Sequence, residues 1–211
     1  MSDCSRFDFQ IATMKIIIIG ATGTIGKHIT RALQKDHEVI KAGSKSGDLQ
    51  VDITSPDSIE HFFEQTGKFD AVVSAAGSAH FGTLNTMKDA DFRKGIDSKL
   101  MGQINLVLIG QHYVNPKGSF TLTSGILSED PIVLGANLSA VNGAINAFVR
   151  SAAIELDNGV RINAISPGVF EESPGYFPYF AGHIPVKMDR VTQAYVKSVL
   201  GALTGEVIKV F

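Results

Sequence analysis

Three glycines frame the stretch Gly20-Ala21-Thr22-Gly23-Thr24-Ile25-Gly26. Glycines so spaced can turn the chain tightly, let backbone approach a pyrophosphate, and let a following helix pack close to a strand. The free N–H groups at that helix start would then face the phosphates. A triphosphate-binding loop is the competing chemistry, because Gly26-Lys27 superficially ends such a motif. It fails because five residues rather than four separate Gly20 from Gly26, and His28 stands where a magnesium-binding Ser or Thr is required.

Other residues able to do chemistry lie further along. Gly43-Ser44-Lys45-Ser46 offers hydroxyls and an ammonium where a carboxylate for a ribose 2′-hydroxyl would otherwise stand. Ser44 and Lys45 could hold a 2′-phosphate by charge-assisted hydrogen bonds, which predicts NADP(H) in preference to NAD(H). His80, Phe81, Tyr176 and Tyr179 are further side chains that could reach a ligand.

These residues need a scaffold, and the hydrophobic pattern supplies one. From Lys15 onward short β-branched runs alternate with helical periodicities, as in successive βαβ units. Strands are predicted at 16–19, 39–42, 49–51, 71–74, 119–123, 161–165 and 206–210. Between them fall a helix through Ile25, Ile29, Ala32 and Leu33, one opening at Pro56 with Ser55 as cap, and long helices over 89–111, 137–156 and 190–203. The expected fold is α/β, a single doubly wound domain with a parallel seven-stranded sheet and helices on both faces. Ligand should sit at the carboxyl ends of the strands, partly covered by the irregular 169–189 segment.

At 211 residues with 44% hydrophobic side chains the chain fills one generous core. Residues 1–13 read as a mobile extension, and 14–211 as the dinucleotide-binding domain. A net charge of −2 without a basic run argues against nucleic acid, and no apolar run approaches a bilayer span. A cytoplasmic protein is expected. The single cysteine, Cys4, cannot form an internal disulfide, and no Cys/His cluster has metal-site spacing.

Four further landmarks follow successive strands: Asp52-Ile53, Ala75-Ala76-Gly77, Thr123-Ser124 and Pro167-Gly168. With the glycine turn and the ending Thr204-Gly205-Glu206-Val207-Ile208, this chain from Lys15 to Phe211 resembles the short-chain dehydrogenase/reductase family, with its Rossmann-type fold. The resemblance implies that Gly20, Thr22, Gly23, Thr24, Ile25, Gly26, Ser44, Lys45, Asp52, Ile53, Ala75, Ala76, Gly77, Asn142, Pro167 and Gly168 contact a nicotinamide dinucleotide. It also implies a homodimer or homotetramer through the two long helices, the first of which is apolar on more than one face at Ile104, Leu106, Val107, Leu108 and Ile109.

The chain departs from this family at its chemical centre. The tyrosine that exchanges a proton with substrate, and the lysine four residues later that assists it, align with Leu138 and Asn142. Leu138 has no ionisable group, and Asn142 can bond a ribose hydroxyl but brings no charge. Tyr113 and Lys117 have the family's spacing, but Pro116 and Gly118 put them in a helix-to-strand turn. Lys99 stands where the family has a catalytic asparagine, and Ser124 aligns with the substrate serine or its neighbour, Gly125 being the other register. Two readings follow: an NADP(H) oxidoreductase acting on a small carbonyl, alcohol or enone through an atypical proton donor, or a non-catalytic cofactor-binding sensor or interaction module.

Overall fold

The run Lys15–Ile19 is apolar at four successive positions, and all four isoleucines are buried, as a strand covered on both faces requires. Ile17 and Ile19 point into one hydrophobic layer, Ile16 and Ile18 into the other. This strand, β1, is an interior strand of the sheet in the computed structural model, which describes residues 12–211. The proposed extension and Cys4 therefore fall, apart from residues 12 and 13, outside the described residues.

Six further strands complete a parallel sheet: β2 (Glu38–Gly43), β3 (Leu49–Gln50), β4 (Phe69–Ser74), β5 (Val114–Thr123), β6 (Arg161–Pro167) and β7 (Val207–Val210), in the order β3-β2-β1-β4-β5-β6-β7. The order reverses between β1 and β4, where Ile19 aligns with Ser74. A crevice opens outside the strand ends at such a switch point.

Helices cover both faces. On one, α1 (Gly26–Leu33) and α6 (Met188–Leu200) bury Ile29, Leu33, Val191, Tyr195 and Val199. On the other, α2 (Pro56–Thr66), α4 (Gly102–Gly110) and α5 (Ala136–Glu155) bury Phe62, Phe63, Leu106, Ile145 and Val149. Ser55 caps α2 as expected, its side chain accepting from Ser58 N at 3.3 Å. Phe63, Phe69 and Phe120 meet at centroid distances of 5.3 and 6.2 Å, so the second layer is knit by aromatic contacts.

The helix expected over 89–111 differs from a uniform α-helix. It comprises α3 (Asp89–Lys94), a π-helical segment Gly95–Met101, and α4. Glycines at 95 and 102 bracket the wide turn, and Lys99 sits within it. Two short 3₁₀ turns, Ile126–Ser128 and Pro174–Tyr179, were not foreseen in the pattern, being too short to carry a period.

Among the described residues no helix is long and apolar enough to cross a membrane. Phe120 is fully buried and Val133 is 80% exposed. Phe120→Ala should therefore lower the unfolding free energy by about 3–5 kcal/mol in urea titrations. Val133→Ala should stay within about 0.5 kcal/mol of the parent.

Candidate functional site

The glycine turn behaves as its spacing predicts. Gly20 has φ +82°, and its N–H donates to Ala42 O at 2.7 Å, which fixes the end of β1 against β2. A Cβ on Gly26 would lie 2.0 Å from Gly20 O, so the first turn of α1 can pack against the loop only with glycine there.

A hollow of about 420 Å³ opens over this turn. Gly20, Thr22 and Gly23 form its floor with Ala75, Ala76 and Gly77, while Ser44, Lys45, Asp52 and Ile53 line its other side. Thr22 and Ser46 hydroxyls lie 2.9 Å apart and tie the glycine loop to the loop after β2. Lys41, not Lys45, takes the nearby Asp48 carboxylate at 3.2 Å. Asp52 is spent partly on its own turn, accepting from Thr54 N and Oγ1, and these bonds hold its carboxyl below the usual range.

A second hollow of about 450 Å³ adjoins the first at Ser78. It gathers Ile25, Lys99, Ser124, Asn142, Pro167 and Gly168 with the apolar Leu138, and its outer wall is Phe81, Phe170, Tyr176 and Phe180. The chain thus brings nearly all the expected residues into one crevice. Thr24 and Gly26 line neither hollow; Thr24 is exposed at the turn and Gly26 serves packing. His80 also stays outside, its backbone N–H held by Asn137 Oδ1 at 2.8 Å. Tyr113 is remote from the crevice, its hydroxyl donating to Glu60 at 2.6 Å.

Among the described residues Lys99 is the one charged side chain of the second hollow, 9% exposed. Its Nζ donates to the backbone carbonyl of Ser124 at 3.3 Å, and no carboxylate lines the cavity. Burial without a counter-charge pushes its pKa down to about 8. The Ser124 hydroxyl reaches Ile165 O only at 3.5 Å, at the limit of a hydrogen bond. Asn142 lines the same hollow, 2% exposed, and its buried Oδ1 finds no hydrogen-bond partner among the described residues.

The backbone around Lys99 is held by contacts that spacing alone did not single out. Gln103, fully buried, donates to Lys99 O at 3.0 Å and Thr123 O at 2.9 Å while accepting from Thr123 N at 2.8 Å. Its signal in the sequence is a polar residue four places after Lys99 in a helix that is polar otherwise only at Asn105. Gly77, at φ +108°, lies against Lys99 so closely that a Cβ would come within 2.8 Å of Lys99 Cα. Asn137 bonds His80 N and Phe92 O, joining the loop after β4 to α3 and α5.

The 169–189 segment covers the crevice as expected and is pinned at both ends. Glu172 meets Lys27 at 3.2 Å and His28 at 3.1 Å on α1, and these partners keep its carboxyl below the usual range. His183 meets Asp130 at 3.5 Å. Phe81 packs edge-on against Tyr179 and Tyr176 at 5.0 and 6.4 Å, and of the two tyrosines Tyr176 lines the second hollow.

Comparison with known proteins agrees with this geometry. The family model described as Enoyl-(Acyl carrier protein) reductase matches residues 20–176. The protein lin1944 from Listeria innocua is 52% identical in its crystal structure, with a TM-score of 0.93 over 94% of this chain and 100% of that one. A small-chain dehydrogenase crystallised with NADPH is 28% identical, with a TM-score of 0.84 over 94% and 96% of the two chains. The short-chain dehydrogenase/reductase ATR9 of Stachybotrys chlorohalonatus is 26% identical over 150 residues, 66% of this chain and 58% of that protein. The chain thus spans little more than half the length of such curated relatives. With its parallel Rossmann-type sheet and the glycine turn at its switch point, the chain belongs to the short-chain dehydrogenase/reductase family of oxidoreductases.

Proposed function

We propose that the chain is an NADP(H)-dependent oxidoreductase moving hydride between the nicotinamide and a small carbonyl, alcohol or enone, with Lys99 supplying the charge at the reacting end. The observation that carries this reading is a buried ammonium with no counter-charge among the described residues, in a hollow that adjoins the one over the glycine turn. A substrate oxygen gaining negative charge is what Lys99 Nζ lacks, and the Asn142 amide, lining the same hollow, could bond a ribose hydroxyl. The two adjoining hollows suit an elongated dinucleotide, adenosine over β2 and β3 and nicotinamide over β5 and β6.

When bound, the dinucleotide supplies the hydride chemistry. The residues of the chain would do the rest. Backbone N–H groups of the Gly20–Gly26 turn receive the pyrophosphate, and Ala75, Ala76 and Gly77 let it lie close to the sheet. Asn142, Pro167 and Gly168 border the nicotinamide end, Leu138 and the aromatic wall exclude water, and Ser124 presents a weakly committed hydroxyl. Lys99, with a pKa near 8, holds a proton at neutral pH yet can part with it, as a general acid must.

Lys45 and Ser44, beside Ser46, support NADP(H) over NAD(H), since no carboxylate stands in that loop to repel a 2′-phosphate before Asp48, which Lys41 engages. Leu108 and Met101, 47% and 37% exposed along the same helical stretch, fit a homodimer or homotetramer packed on it. A cytoplasmic location accords with the same reading.

Calorimetric titration with NADPH and NADH, followed by turnover on carbonyl and enone compounds, checks the assignment. Tight NADPH binding with turnover is expected; binding without turnover would favour a non-catalytic sensor, and no binding would remove the cofactor assignment. Lys45→Ala should weaken NADPH by about tenfold, the equivalent of one charge-assisted contact, while NADH affinity changes by less than about twofold.

A further inference from the structure

A third hollow, of about 530 Å³, takes none of the residues assigned to cofactor or catalysis. Two loops build it, 82–85 after β4 and 131–134 after β5, together with the first turn of α5. Leu84, Ile132, Val133 and Leu134 supply hydrocarbon to its lining, and no described residue brings it a charge. This space continues the second hollow. Ile132 lines both, and the lining passes from one to the other again between Phe81 and Gly82 and between Leu138 and Ser139. Three separate segments of chain thus contribute to a common border.

The two loops are fixed to each other. Gly82 N donates to Leu134 O at 3.1 Å, and the Thr83 and Thr86 hydroxyls lie 2.6 Å apart. Leu134 is held at φ +71°, a left-handed conformation that crowds its Cβ, and strain of this kind persists where the surroundings over-determine it, commonly beside ligands. Yet Leu84 and Val133, one from each loop, stand 71% and 80% exposed. Large apolar side chains on loops so fixed leave hydrocarbon without a cover among the described residues. An uncharged, apolar space gives a charged ligand group nothing to bind, whereas a hydrocarbon chain gains from every methylene that enters it. Its border with the second hollow leads such a chain directly from Lys99.

We propose that the substrate of this site is an amphiphile, with a small carbonyl or enone at Lys99 and an unbranched hydrocarbon tail laid past Ile132 into the hollow between the 82–85 and 131–134 loops. This rests on the NADP(H) oxidoreductase reading and adds the tail to it. The tail contributes binding, and the redox step is unchanged. For an aldehyde, the carbonyl carbon takes the hydride of NADPH as a new C–H bond and the oxygen takes the Lys99 proton. Lys99 recovers a proton from solvent, so that NADPH, aldehyde and H⁺ give NADP⁺ and the alcohol.

The test uses the full chain with NADPH and straight-chain aldehydes and trans-2-enals from butyl to octyl length, kcat/KM being read from NADPH oxidation. In parallel, calorimetry on the NADPH-saturated protein compares butanamide with octanamide, whose carbonyls resist hydride. A methylene fully removed from water is worth about fourfold, and one half covered about twofold. The expected gain is about twofold per methylene, roughly fifteenfold from butyl to octyl, in kcat/KM and in amide affinity alike. Val133→Asp and Leu84→Asp should each bring that ratio below about fourfold, whereas Ile154→Asp, 86% exposed and lining neither hollow, should keep it. A flat chain-length profile, or a ratio that both loop variants leave unchanged, would overturn the tail assignment. If Val133→Asp then altered the oligomeric state by light scattering, the hollow would belong instead to a second copy of the chain. A gain in amide affinity without turnover of any aldehyde or enal would uphold the tail site and strike the oxidoreductase reading beneath it.

Discussion

A buried ammonium without a counter-charge is the constraint around which this crevice is arranged. Desolvation lowers the Lys99 pKa from 10.5 to about 8, which corresponds to roughly 3 kcal/mol against the charged form. Because the folded-state pKa is lowered, this cost is fully present below about pH 8 and is relieved as pH rises towards 10.5. A chain selected only for stability would more simply place an apolar residue there. The cation persists because the surrounding backbone leaves it little alternative: the π-helical segment directs Lys99 inward, Gly77 covers its Cα, and the Ser124 carbonyl is its one acceptor among the described residues.

The sheet makes this arrangement rigid. Gln103 binds both the peptide of Lys99 and the end of β5, so the ammonium and Ser124 keep their separation. Below them the Tyr195 hydroxyl meets Thr123 Oγ1 at 2.7 Å, which in turn donates to Ser74 O at 2.5 Å. Three elements, β4, β5 and α6, are thereby joined at the crevice floor by a buried chain of hydrogen bonds, which fixes position more specifically than apolar contact alone. The covering segment is fastened differently, by the partly exposed ion pair of Glu172 with Lys27 and by the contact of His183 with Asp130, which hold more weakly than a buried network.

Much of this was legible in the sequence, for identifiable reasons. A parallel sheet buried on both faces writes itself as apolar runs such as Ile16 to Ile19, and a glycine turn between such a run and a helix has few other uses. The crevice residues followed because strand ends place them, and strand ends are easily read. The π-helical turn was not legible, since one inserted residue per turn leaves no mark in a short amphipathic pattern. Nor could spacing reveal that His80 is held outside the crevice, because that depends on Asn137, 57 residues away. The orphaned Asn142 Oδ1 likewise emerges only when every neighbour of that atom is known.

The account stands most directly on the titration of Lys99. Carbon-13 labelling of the lysine Cε positions, with Lys99→Met to assign the resonance, would follow its chemical shift against pH in the ligand-free protein. A midpoint near pH 8, well separated from the other lysines, is the result predicted by an ammonium buried without a partner carboxylate. A midpoint near the ordinary value of about 10.4 would mean that Lys99 is solvated, and would contradict its place as the charged centre of the site.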